Sequence, residues 1–287
     1  MKYIVPQKVT YQNVDDLLEN NKINSLFDEK EELSIDKLLQ EKFICIVGEP
    51  GIGKSRLVEE IKKRLSEQSY FYCTASEFEI ENTPTDKEYC IIDALDEVDG
   101  SSFYRVLLSI KQFKDGNSDV KVLFTCRKHY VASYANHFAA CSGLNYMELC
   151  RLNESEVYKI INETSETTRE NVYKSPKLRE LLSIPRYLVF LLEREEKQGG
   201  CSNIGELFEY IVIRSIQAAI KASGGDNRNV EILMQRVLEK IAFVMEISRK
   251  DQIAKDELYS ILDGIKGNMI QMLIANFNLL FFENRIL

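Results

Sequence analysis

The stretch Gly48-Glu49-Pro50-Gly51-Ile52-Gly53-Lys54-Ser55 constrains this chain more than any other feature, because of what stands on either side of it. It follows the apolar run Phe43-Ile44-Cys45-Ile46-Val47 and precedes an amphipathic stretch from Arg56 to Leu65, so it must turn a buried strand into a helix. Glycines let the backbone curl so that successive N–H groups point at one place, and the helix N-terminus adds partial positive charge there. Such a curl accepts phosphates. Lys54 would reach the β- and γ-phosphates of a nucleotide, and the Ser55 hydroxyl would ligate magnesium. Gly48, Glu49, Pro50, Gly51, Ile52, Gly53, Lys54, Ser55 and Arg56 are therefore the predicted nucleotide-binding residues, with ATP or ADP and Mg2+ as cofactors.

Between residues 35 and 152 short apolar runs alternate with helical stretches, at 43 to 47, 70 to 73, 89 to 92, 120 to 125 and 146 to 149. Five buried strands separated by helices predict an α/β fold, a P-loop NTPase core whose parallel sheet is covered on both faces. Residues 1 to 34 are polar and mixed in charge, and are expected to be a lead-in. Beyond Leu152 the pattern turns helical. Asn153, with Glu156 three positions on, offers a cap, and apolar residues recur at helical spacing through 178 to 192, 204 to 220 and 230 to 246. This predicts a helical domain over 153 to 223. Residues 229 to 287 read as a winged-helix-like domain cut off in its wing, with short helices at 257 to 265 and 269 to 275 before a strand, a turn and a second strand.

With 45 Asp and Glu against 37 Lys and Arg, the formal charge of -8 disfavours a general grip on nucleic acid or on anionic membrane. No stretch approaches the roughly 20 apolar residues of a membrane span. Seven cysteines without a CxxC pair predict reduced thiols and a cytoplasmic location.

Two further strand ends carry chemistry. In Tyr89-Cys90-Ile91-Ile92-Asp93-Ala94-Leu95-Asp96-Glu97 the apolar run ends on Asp93, placed to hold magnesium with Ser55. Asp96 and Glu97 follow within a turn, where they can orient or deprotonate the attacking water; the alternative is a solvated acidic run. In Val122-Leu123-Phe124-Thr125-Cys126-Arg127, if the strand lies beside the loop strand, Thr125 or Arg127 can sense the γ-phosphate. An ordinary solvated arginine at a strand end is the alternative. His129 and His137 read as packing histidines.

These features together resemble the NACHT-type domain of the STAND class of signal-transduction NTPases. The resemblance rests on the loop GEPGIGKS, the carboxylate strand IIDALDE with its small residue after the first Asp, and the sensor strand LFTCR. Leu181-Leu182-Ser183-Ile184-Pro185-Arg186-Tyr187-Leu188 is similar to the family's helical-domain proline motif, with Ser183 where a glycine is common. It implies that Pro185 lies near the adenine. Ile204 to Ile211 and Leu238 to Phe243 resemble the helices that follow, so the likeness covers roughly residues 35 to 287.

The family implies a switch: ADP holds a closed form, ATP supports an open, self-associating one, and slow hydrolysis resets it. In prokaryotic relatives such switches serve antiviral defence with a protein trigger. Relatives also carry an effector domain ahead of the NTPase, a sensor region behind it and a nucleotide-touching wing histidine, so this sequence is expected to be part of a larger protein. Two other functions fit the residues: an AAA+-like motor or loader, and a module that binds nucleotide without cleaving it. ATP is preferred to GTP because no NKxD motif follows the core.

Overall fold

Residues 43 to 47 are buried at every position because the strand alternates between two separate cores. Phe43, Cys45 and Val47 join Phe103, Leu107 and Phe138 in one cluster, while Ile44 and Ile46 join Leu57, Val58 and Ile61 in the other. A strand packed on both faces needs an unbroken apolar run, and each large side chain so removed from water contributes about 1.5–3 kcal/mol.

The computed structural model describes residues 7–11, 14–19, 31–32, 34–98, 100–222, 228–248, 260, 281–282 and 285–286. Its main sheet contains β1 (Gln7–Tyr11), β2 (Glu31–Glu32), β3 (Phe43–Val47), β4 (Tyr70–Thr74), β5 (Tyr89–Asp93), β6 (Lys121–Cys126) and β7 (Asn145–Leu149), in the order β2-β1-β7-β3-β6-β5-β4. The five strands from β3 to β7 are the five predicted, all parallel, and the fold is α/β. Strand β6 lies between β3 and β5, so the chain leaves β3 for the far edge and returns beside it. The crevice for a ligand in an open sheet forms where the strand order reverses in this way, at the carboxyl ends of the strands.

One edge differs from the expectation of an all-parallel sheet. Strand β1 pairs antiparallel with β7, from Lys8 opposite Leu149 to Tyr11 opposite Tyr146, and β2 pairs antiparallel with β1. The polar lead-in hides three anchors, Tyr11, Val14 and Leu17, all buried in the core, with the last two on helix α1 (Val14–Glu19). Their signal is weak because charged neighbours dilute it.

Two helices bracket the sheet. Helix α3 (Lys54–Arg64), which follows the short α2 (Ile35–Leu38), supplies Leu57, Val58 and Ile61 to one face. Helix α4 (Gly100–Gly116) supplies Phe103, Leu107 and Ile110 to the other, with α5 (Lys128–Ser133) and α6 (Ala135–Ala139) beside it. All seven cysteines are free thiols, and all but Cys150 are buried.

The chain divides into two compact units, residues 1–163 with 175–189, and residues 164–174 with 190–287. The first therefore takes in α7 (Glu154–Ile161), which the sequence assigned to the helical domain. Its start is the predicted capping box: the Asn153 side chain accepts from Glu156 N at 2.9 Å, and the Glu156 carboxylate accepts from Asn153 N at 2.7 Å. In the second unit, α8 (Glu166–Lys174) is tied by Glu195, which accepts from Ser165 N at 2.7 Å and from the Thr168 hydroxyl at 2.5 Å. The apolar run at 178 to 192 is two helices, α9 (Pro176–Leu182) and α10 (Pro185–Gln198). Pro185 has no N–H to continue α9 but suits the first position of α10.

Helices α11 (Ile204–Ala222) and α12 (Arg228–Ser248) pack together in the second unit, burying Tyr210, Ile216, Met234, Val237 and Ile241. Strands β8 (Phe281–Phe282) and β9 (Arg285–Ile286) pair antiparallel where two strands are expected, and the expected turn at 283–284 lies outside the described residues. Apart from residue 260, the predicted helices at 257 to 265 and 269 to 275 lie outside the described residues. Among the described residues, no helix is long and apolar enough to cross a membrane.

Candidate functional site

The turn after β3 folds around its own isoleucine. Ile52 is buried, its N–H bonds to Glu49 O at 3.3 Å, and a Cβ on Gly48 would come within 2.7 Å of Ile52 Cγ2. Gly51 (φ 78°) and Gly53 (φ 108°) both lie in the left-handed region that a side chain disfavours, and Gly53 caps α3. The loop thus curls as its glycines predict. Lys54 Nζ donates to the carbonyls of Gly48 at 2.8 Å and Glu49 at 3.2 Å, which holds the ammonium along the loop. Burial lowers the Lys54 pKa, with Arg127 adding to the effect, and the nearby Asp96 and Asp93 oppose it. Ser55 and Arg56 are exposed on the first turn of α3, where Arg56 pairs with Glu60.

At the end of β5, Asp93 is 6% exposed and anchored on one oxygen. Its Oδ1 accepts from the Thr125 hydroxyl at 2.5 Å and from Ala94 N at 3.0 Å, while the same hydroxyl accepts from Ala94 N at 2.8 Å. Ala94 is the only non-glycine with positive φ among the described residues, at 61°. Thr125 is fully buried, so its hydroxyl serves Asp93 and Ala94 rather than reaching a phosphate as the sequence allowed. It positions the metal-binding candidate.

Asp96 and Glu97, adjacent in sequence, diverge in environment. The Asp96 side chain is 4% exposed and its Oδ2 meets Arg127 Nε at 2.7 Å, with Oδ1 buried and without a hydrogen-bond partner. Glu97 is exposed, yet desolvation on its protein side raises the carboxyl pKa, and Asp96 and Asp93 raise it further against the lowering effect of Arg127. Only Glu97 of the two meets solvent, where a water can be deprotonated.

Two arginines that the sequence did not single out complete the surroundings. Arg151, just past β7, holds Glu49 Oε2 through Nε at 2.9 Å and Nη2 at 2.7 Å. Arg186 N donates to Gly51 O at 3.2 Å. Pro185 stands between Ile184 and Arg186, the residues that pack on Gly51, which brings the proline motif to the phosphate loop. The one available signal for Arg151 is its place just past the carboxyl end of a parallel strand, where ligands collect; nothing local signals Arg186. His129 lies against Tyr130, and His137 against Tyr104 and Tyr134.

A family model described as Novel STAND NTPase 3 matches residues 28–175, just over half of the chain. The chain belongs to this family. The matched span of this STAND NTPase includes the phosphate loop, Asp93, Asp96, Glu97 and Arg127, and stops short of Pro185. Among solved structures, a RuvB variant of Thermotoga maritima is similar at 14% identity, covering 94% of this chain and 90% of that one with a TM-score of 0.39. The Orc1 protein of Aeropyrum pernix in complex with DNA is similar at 9% identity, covering 85% and 82% with a TM-score of 0.41. Both are distant in shape as well as in sequence. No curated protein matches the chain.

The residues fit a nucleotide carried with magnesium. Adding a Cβ at Gly48 or Gly51 would crowd the curl, the Lys54 ammonium lies along it, and Ser55 with Asp93 supplies two oxygen donors. No group of three or more His, Cys, Asp or Glu able to hold a metal occurs among the described residues.

Proposed function

We propose that this P-loop NTPase is an ATP-driven switch that binds ATP with magnesium, hydrolyses it slowly and changes its self-association with the nucleotide state. The observation that carries the reading is the ion pair of Arg127 with Asp96, 2.7 Å long, at the end of the strand beside the loop strand. An arginine so placed can exchange a carboxylate partner for a third phosphate, and so distinguish ATP from ADP.

Gly48 to Arg56 form the cradle, Lys54 neutralises the β- and γ-phosphates, and Ser55 and Asp93 hold the metal. Magnesium, when bound, neutralises phosphate oxygens. Glu97 takes the proton of the attacking water, Asp96 holds Arg127 in reserve, and Pro185 lies beside the base. The ADP-closed and ATP-open cycle, the protein trigger and the antiviral setting are supported by the NACHT resemblance. The absence of an NKxD motif from the sequence supports ATP over GTP.

Arg127→Gln tests the sensor. It should weaken a non-hydrolysable ATP analogue by about 10- to 100-fold, the worth of one charge-assisted contact, and leave ADP affinity within about twofold. Calorimetry with both ligands measures this, and equal losses for the two would refute the γ-phosphate assignment.

A further inference from the structure

The turn from Ser183 to Arg186 is seated on the phosphate loop. Leu152 N donates to Ser183 O at 2.8 Å, which fixes the start of the turn to the end of β7. Arg186 N donates to Gly51 O at 3.2 Å, which fixes its end to the loop. Between these points the fit is tight. A Cβ on Gly51 would come within 2.9 Å of Arg186 Cβ, 3.1 Å of Arg186 Cδ and 3.3 Å of Ile184 Cγ2. The arginine stem therefore lies across the glycine backbone, and all of these residues belong to the first unit.

Gly51 sits at φ 78°, a conformation that glycine can leave as easily as it enters. Its own sterics do not hold it there; the overlying stem and the backbone bond do. The fan of N–H groups that grips a phosphate keeps its aim only while Gly51 stays in place. Dissociation requires that fan to disperse, whereas association is set mainly by encounter.

We propose that Arg186 is a positioning residue that sets how fast nucleotide leaves: the turn must lift from Gly51 before the loop can open. This rests on the phosphate-loop reading above and adds an exit step that movement of the 183–186 turn regulates. Arg186 acts through Gly51, by the stem of its side chain.

The test uses the full chain and a fluorescent ADP analogue, with association followed by stopped flow and release by chase with excess unlabelled ADP. Arg186→Ala removes the stem and keeps the backbone N–H, and should speed release about tenfold with association unchanged within about twofold. Arg186→Lys keeps the stem through Cδ and should restore slow release. Ile184→Ala removes the other contact on Gly51 and should speed release in the same direction, which provides an independent arm should Arg186→Ala fail to fold. Thermal melts establish that each variant is folded. Release from folded Arg186→Ala at the wild-type rate overturns the proposal, as does Arg186→Lys releasing as fast as Arg186→Ala, or wild-type release from folded Ile184→Ala. Failure of the wild-type chain to bind the analogue would instead remove the nucleotide reading itself, and the exit step with it.

Discussion

Glu97→Gln should leave ATP bound and lower turnover by about two to four orders of magnitude, the usual worth of a positioned general base. Replacing Asp96 as well would confuse the result, because Asp96 neutralises the largely buried Arg127, and removing one member of such an ion pair is itself costly. The single variant keeps that pair. The raised Glu97 pKa adds a second readout. A carboxylate must be ionised to act as a base, so turnover should fall as pH drops, through a value higher than that of an unperturbed glutamate. Steady-state turnover across pH measures this limb, which should vanish from the residual activity of Glu97→Gln. Full turnover in that variant places the base on another residue.

Lys54→Ala should lower ATP affinity by about a hundredfold or more, since hydrogen bonds to a charged group are worth about 1.5–3 kcal/mol each and the ammonium reaches two phosphates. The fold should survive, because the Lys54 ammonium bonds to the carbonyls of its own loop. Calorimetric titration with ATP and magnesium reads the loss. Wild-type affinity in a folded variant would refute the phosphate-loop assignment.

The parts of this site legible in the sequence are those whose chemistry is local. A strand, a glycine-rich curl and a helix announce the loop within about 20 residues, and Asp93 announces itself as a carboxylate closing an apolar run. Long-range partnerships were not legible. Nothing near Thr125 says that its hydroxyl serves Asp93 from the next strand, and nothing near Asp96 says that Arg127 occupies its carboxylate. Arg186 was visible only as a neighbour of Pro185. Its seat on Gly51 depends on how the turn after α9 is docked, which no periodicity encodes. Strand β1 went unseen for a related reason, since its partner β7 lies at the far end of the core in sequence. The break at Pro185 could be read from the ring alone, as a proline that ends one helix and opens the next.

The central place of β3 also orders events during synthesis. Both neighbours of β3 come from much later in the chain: Phe43 lies opposite Val122 on β6, and Ile44 lies opposite Asn145 on β7. Closing such long loops must precede the contacts that reward closure, which makes pairing of this kind slow. A nascent chain therefore exposes its glycine-rich curl well before anything can hold it in shape, and exposes the apolar run of β3 for the same interval, when aggregation competes with folding. Nucleotide cannot act as an early template. Ribosome-bound chains halted after residue 120 should not retain ATP, while chains in which residue 190 has cleared the exit tunnel should, and retention by the shorter chains would show that the curl forms without its flanking strands.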